Sequence, residues 1–181
     1  MLLGLEANAA LNVLLILVMP VVHSAWASSL LLVPAFGRTR REGTTVSLIW
    51  IASFVIAVGA SLYALAIGLF GGRIIDMLYV GRYARYAHLA WLAGLLVLPE
   101  AAMAVSAPLL RAYERPDREL SANLAATAVT CIGIAGIAAW GVRGALLGLL
   151  AGRITTTLVE FWWVARTLRG PELQAAASPS G

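Results

Sequence analysis

The chain has 181 residues, of which 61% are hydrophobic and 12% charged. Soluble domains hold roughly 45–50% apolar and ~25% charged residues, so this sequence has too little polar surface to clothe a water-soluble fold. The 13 basic residues are all arginine and exceed the nine acidic ones by four; because they fall between apolar segments, they indicate membrane topology and not nucleic-acid binding.

A helix needs about 20 apolar residues to cross the hydrocarbon core of a bilayer, and five stretches meet that length. The first, residues 11–36, is interrupted only by Asn12, His23 and a few serines. Pro20, in its middle, removes a backbone hydrogen bond and predicts a kink. That kink serves either as a bend point for a moving helix or as static packing, since proline is frequent in membrane helices. The second stretch, residues 45–70, has no charged side chain.

Residues 72–85 are patterned differently. Ile74, Ile75, Leu78 and Tyr79 form an apolar face, and Tyr79, Tyr83 and Tyr86 recur at helical spacing beside Arg82 and Arg85. This predicts a short helix lying at the headgroup level, with a polar turn carrying interfacial tyrosines as the alternative.

The third stretch, residues 86–110, is apolar except for His88 and Glu100. A carboxylate near mid-membrane costs several kcal/mol unless it is neutralised, paired or hydrated. Glu100 is therefore expected to face a cavity or a partner, and the adjoining Pro99 gives its helix a second kink. Residues 120–140 form the fourth stretch. Its Cys131 is the chain's lone cysteine, so no intramolecular disulfide can form and the residue reads as packing.

The fifth stretch, residues 144–165, carries Arg153 and Glu160. Seven residues make two turns, which puts both on one face about 10 Å apart. Arg153 is expected to bind an anionic headgroup or phosphate, to snorkel to an interface, or to pair within the bundle. Gly144, Gly148 and Gly152, every fourth residue, expose backbone on one face for close helix packing. Residues 170–181, rich in Pro, Ala and Ser, read as a disordered tail.

The fold class is therefore an all-α, polytopic membrane bundle of about five transmembrane helices. The runs are too long and too uniformly apolar for barrel strands of about ten alternating residues. With five crossings, the arginines after the first, third and fifth helices share one side and number eight, against four on the other. The richer side is cytoplasmic, so the N-terminus is expected outside and the C-terminus inside. Residues 1–10 lack basic residues and carry Glu6, unlike a secretory leader. An external start suits a chain that further helices once preceded, so a fragment is expected.

His23 and His88 are isolated, and no cluster has metal-ligand spacing. No glycine-rich loop with lysine and no nucleophile paired with a base is visible, so neither a cofactor nor an enzyme activity is expected.

The order of segments carries a resemblance. The first helix ends in Leu31, Leu32, Val33, Pro34, Ala35 and Phe36 before the arginine cluster. The second ends at Phe70 and Gly71 and continues through Ile74, Ile75, Leu78, Tyr79, Gly81, Arg82 and Tyr83. The third ends in Leu109, Leu110, Arg111, Ala112, Tyr113, Glu114, Arg115 and Pro116, with Asn123 opening the next helix. The fourth ends at Trp140, Gly141, Val142, Arg143 and Gly144.

From about Leu2 to Leu168 this resembles the later helices of bacterial polysaccharide-biosynthesis flippases. These are exporters of lipid-linked oligosaccharide in the multidrug/oligosaccharidyl-lipid/polysaccharide superfamily. The resemblance implies the last five helices of a roughly twelve-helix, two-lobe transporter of the bacterial inner membrane, working by alternating access. Its implied partners are membrane lipids, the lipid-linked oligosaccharide, and the missing N-terminal helices or a partner membrane protein. Glu100, Arg153 and Glu160 are expected to face the cavity. A drug/cation antiporter of the same superfamily, and a small membrane scaffold or assembly subunit packing through its glycine face, are the other readings.

Overall fold

A computed structural model describes residues 4–42 and 44–169, and the tail expected to be disordered lies outside the described residues. Helices follow one another as α1 (Leu5–Ile16), α2 (Met19–Glu42), α3 (Thr45–Tyr79), α4 (Ala84–Ala87), α5 (Ala90–Ala112) and α6 (Pro116–Leu168), with no strand among the described residues. The protein is an all-α helical bundle. Among the described residues, four segments are long and apolar enough to cross a membrane: Met19–Arg40, Thr45–Tyr79, Ala90–Ala112 and Trp140–Leu168.

The first predicted helix is two. Pro20 has no N–H, so the Ile16 carbonyl has no donor four residues on. The chain tightens there, with the amides of Leu17, Val18 and Val21 reaching back only three residues, to the carbonyls of Leu14, Leu15 and Val18. The Leu17 carbonyl, released by this break, accepts the Tyr63 hydroxyl of α3 at 2.9 Å. The proline interruption is thus closed by a neighbouring helix. Pro99 behaves differently, since α5 continues through it and Pro108 without a break.

No separate interfacial helix occupies residues 72–79. They complete α3, whose 35 residues span about 52 Å at 1.5 Å per residue, well beyond a ~30 Å hydrocarbon core. The reason is packing: Ile67, Gly71 and Ile75 stay buried along one side. A Cβ on Gly71 would lie 2.9 Å from the Ala90 Cβ, and one on Gly94 2.9 Å from the Ala64 carbonyl oxygen, so only glycine lets α3 and α5 approach this closely. Helix α3 stops at Val80, which turns left-handed at φ 52°, while the Gly81 amide bonds back to the Asp76 carbonyl at 3.0 Å. The interfacial anchors sit beyond this stop, with the Arg82 guanidinium 5.8 Å from the Tyr83 ring centre and Arg85 4.6 Å from that of Tyr86.

Helix α5 is the central element, burying fifteen residues against its neighbours. Helix α6 opens with Pro116 and the acidic Asp117 and Glu119, all favourable in a first turn. Within it, Gly141 adopts φ 54° and ψ −132°, a combination open at low cost only to glycine. The chain reverses there into two antiparallel arms, residues 116–140 and 142–168. Gly133 meets Gly148, Gly152 meets Thr130, Trp163 meets Ser121 and Thr167 meets Arg118 along their length. The predicted break over residues 141–143 is therefore one glycine wide.

Several of the arginines are placed by ring or ion contacts. Arg40 lies 4.8 Å from the Tyr113 ring centre, and Arg118 and Arg166 both lie over Trp163, which brings these three arginines to one end of the bundle. Arg85 lies with Glu6 of α1, to which it pairs at 3.0 Å.

Candidate functional site

Of the three charged residues expected in the membrane interior, the fold brings two together. Arg153, on the second arm of α6, sets its Nε 2.8 Å from Glu100 Oε1 on α5. Glu100 is 9% exposed and has its charge matched by this guanidinium. The Arg153 side chain stays 44% exposed. Its two terminal nitrogens make no hydrogen bond among the described residues.

A second pair stands about 16 Å further along α5, eleven residues at 1.5 Å each. Arg111 Nε lies 2.8 Å from Glu119 Oε2, and Arg111 Nη2 contacts Glu119 Oε1, a two-pronged arrangement that fixes both side chains. Between the two pairs is a cavity of about 270 Å³, walled by α2 through Trp26 and Ser29, by α5, and by both arms of α6 through Asn123 and Arg153. Arg111 and Glu119 read as loop charges in the sequence. The turn at Glu114, left-handed at φ 57°, folds the start of α6 back beside the end of α5 and makes them a pair.

Glu160 is not among the cavity residues, contrary to expectation. It is 0% exposed and faces α5, where Oε2 meets the Ser106 hydroxyl. The other oxygen, Oε1, has no hydrogen-bond partner among the described residues. Ser106 also faces the Ala102 carbonyl at 3.3 Å, and one hydroxyl hydrogen cannot serve two acceptors. The Ser106 hydroxyl therefore donates to one of the two at a time, Glu160 Oε2 or the Ala102 carbonyl.

The expected glycine face is real and extends further than predicted. Gly144, Gly148, Gly152, Thr156, Glu160 and Val164, each four residues apart, are all buried. A Cβ on Gly148 would stand 3.1 Å from Gly133 Cα, and one on Gly152 3.3 Å from the Ala126 carbonyl oxygen. Within the stripe, Gly148 and Gly152 pack against the chain's own first arm, while Glu160 meets α5. Arg153 lies at the edge of this stripe, which lets its side chain leave the arm contact and reach α5.

Among the described residues, no three His, Cys, Asp or Glu side chains group to hold a metal ion. His23 lies edge-on to Trp26, ring centres 6.4 Å apart. The cavity thus offers two guanidiniums, two carboxylates and an amide inside a membrane-spanning bundle, a set suited to holding a polar, ionic group. No protein-family model, curated protein or solved structure matches the chain.

Proposed function

We propose that this chain is part of a membrane transporter, and that the cavity between α2, α5 and α6 belongs to the path of an anionic, lipid-borne substrate. The observation that carries the reading is Arg153, paired with Glu100 yet 44% exposed, in the wall of a cavity that also holds the Arg111–Glu119 pair. Planar guanidinium donors suit phosphate oxygens, and Glu100 holds the charge balanced until such a group arrives. Intramembrane ions of this kind mark substrate paths.

The segment resemblance narrows the substrate to lipid-linked oligosaccharide precursors of the bacterial cell envelope. The membrane would be the inner one, with the arginine-rich end on its cytoplasmic side. The full chain, reconstituted in liposomes with any helices encoded with it, is tested with a fluorescent lipid-diphosphate oligosaccharide. Arg153→Ala and Glu100→Gln are expected to slow its crossing at least about tenfold, a loss of roughly 1.4 kcal/mol. Unchanged crossing in both variants would remove the cavity from the path.

A drug/cation antiporter is the second reading, favoured by Glu160, a buried carboxyl with one oxygen lacking a hydrogen-bond partner among the described residues, which suits a proton carrier. Uptake of a cationic dye driven by a pH gradient, lost in Glu160→Gln, would select it. The scaffold reading relied on a free glycine face, and that face is occupied by the α6 hairpin.

A further inference from the structure

At the open end of the α6 hairpin, two cations share one ring. The guanidinium carbons of Arg118, on the first arm, and Arg166, on the second, lie 4.9 and 5.9 Å from the centre of Trp163. Arg166 also lies 5.4 Å from the Trp162 ring, and the two indoles are 4.4 Å apart. The platform is held in place. Trp163 Nε1 donates to the Ser121 hydroxyl at 3.0 Å, and Arg118 Nη1 donates to Thr167, whose hydroxyl donates to the Trp163 carbonyl at 2.8 Å.

These two arginines differ from Arg85, Arg111 and Arg153, each of which has a carboxylate within ion-pair distance. Neither Arg118 nor Arg166 has an acidic partner among the described residues. Two like charges gathered on one indole repel, and the indole faces attract each cation by only about 0.5–2 kcal/mol. An anion between the guanidiniums relieves that repulsion, and both retain free N–H donors to hold it.

We infer that Arg118, Trp163 and Arg166 form a binding site for the phosphate of an anionic phospholipid. Position selects a lipid over a soluble anion. The site ends a membrane-spanning helix, where headgroups lie, and the neighbouring Trp162 is 54% exposed on the surface that meets acyl chains. A headgroup held by both guanidiniums would add a third tie between the two α6 arms, beside the Trp163–Ser121 and Arg118–Thr167 hydrogen bonds. The inference rests on the chain's spanning a membrane and is independent of any transport activity.

The test is native mass spectrometry of the detergent-purified full chain titrated with phosphatidylglycerol, with phosphatidylcholine as the neutral comparison. One phosphatidylglycerol is expected to bind in preference, and Arg118→Gln with Arg166→Gln to weaken it at least about tenfold. Arg38→Gln, which removes the same charge elsewhere at this end, is expected to leave binding within about twofold. Should the double variant not fold, Arg166→Gln alone, on an exposed side chain, is expected to weaken binding severalfold. Equal binding in wild type and either variant, or an equal loss in Arg38→Gln, would overturn the site. Displacement of the lipid by inorganic phosphate at matching concentration would overturn the lipid as its occupant.

Discussion

Close approach of the two α6 arms rests on backbone meeting backbone, which makes a graded series of alanine substitutions informative. A Cβ on Gly133 would lie 2.6 Å from Gly148 Cα, whereas non-bonded carbons rest about 3.5–4.0 Å apart. The arms would have to separate by roughly 1 Å at this point, and no flexible side chain is there to yield instead. A Cβ on Gly148 would meet Gly133 Cα and carbonyl carbon at 3.1 Å and needs only a few tenths of that movement. On Gly152 the nearest atom is the Thr130 hydroxyl, which can rotate away, leaving the Ala126 carbonyl oxygen at 3.3 Å. Overpacking costs about 1–3 kcal/mol, so Gly133→Ala belongs near the top of that range and Gly148→Ala and Gly152→Ala near the bottom. Gly59 and Gly68 on α3 have nothing within 4 Å of the same position, so alanine there gains helix propensity, up to about 1 kcal/mol. Gly59→Ala and Gly133→Ala should thus differ by about 3 kcal/mol, some two decades in the folding constant. Reversible unfolding in mixed detergent micelles, followed by tryptophan fluorescence, reads that difference. If Gly133→Ala unfolds alongside Gly59→Ala, the hairpin contact is not what holds the arms together.

Tyr63→Phe strands the Leu17 carbonyl and should cost about 1–2 kcal/mol of stability. In a Pro20→Ala background the restored amide lets the helix close its own bonds, so a double-mutant cycle should show that cost falling by about 1 kcal/mol. Val80→Gly relieves a β-branched residue from φ 52° and should raise the unfolding midpoint, by about 1–2 kcal/mol in stability. Glu100→Gln leaves the Arg153 guanidinium without its counter-charge and should destabilise by a few kcal/mol, whereas adding Arg153→Gln should recover part of the loss; additive effects would mean that the two side chains do not pair. Glu160→Gln can still accept from Ser106 and should unfold within about 1 kcal/mol of the wild type, while Glu160→Ala leaves a buried void and a hydroxyl without this partner and should unfold clearly earlier.

Much of the architecture follows from segment length alone, because a helix in hydrocarbon must bond its own backbone and must span a fixed thickness. The fourfold glycine spacing was legible because it is a local pattern with one physical use, close helix approach. Helix ends were less so. The arginine and tyrosines around residues 73–86 drew the reading towards a separate interfacial helix. The stronger signal was the i, i+4 run of Ile67, Gly71 and Ile75, which keeps α3 packed to Tyr79. Side-chain partners remote in the chain left no mark at all. Ser106 lies 54 residues from Glu160, and nothing in either neighbourhood announces the other. Arg111 and Glu119 stand only eight residues apart, yet their pairing depends on a left-handed turn at Glu114, a residue type that does not advertise one.

The two intramembrane acids look equivalent in sequence and are opposite in situation. Glu100 and Glu160 both meet the α5–α6 contact, but Glu100 has a cation and a cavity, whereas Glu160 has a hydroxyl and no opening. The glycine stripe explains the division. Because Gly148 and Gly152 draw the second arm hard against the first, a residue in line with them, such as Glu160, is sealed in, while one at the stripe's edge, such as Arg153, must reach outwards to α5. A polar substrate could therefore exchange with the Glu100–Arg153 pair without separating any helices. Reaching Glu160 requires the α5–α6 contact to open, and nothing larger than a proton could arrive there while the bundle stays closed.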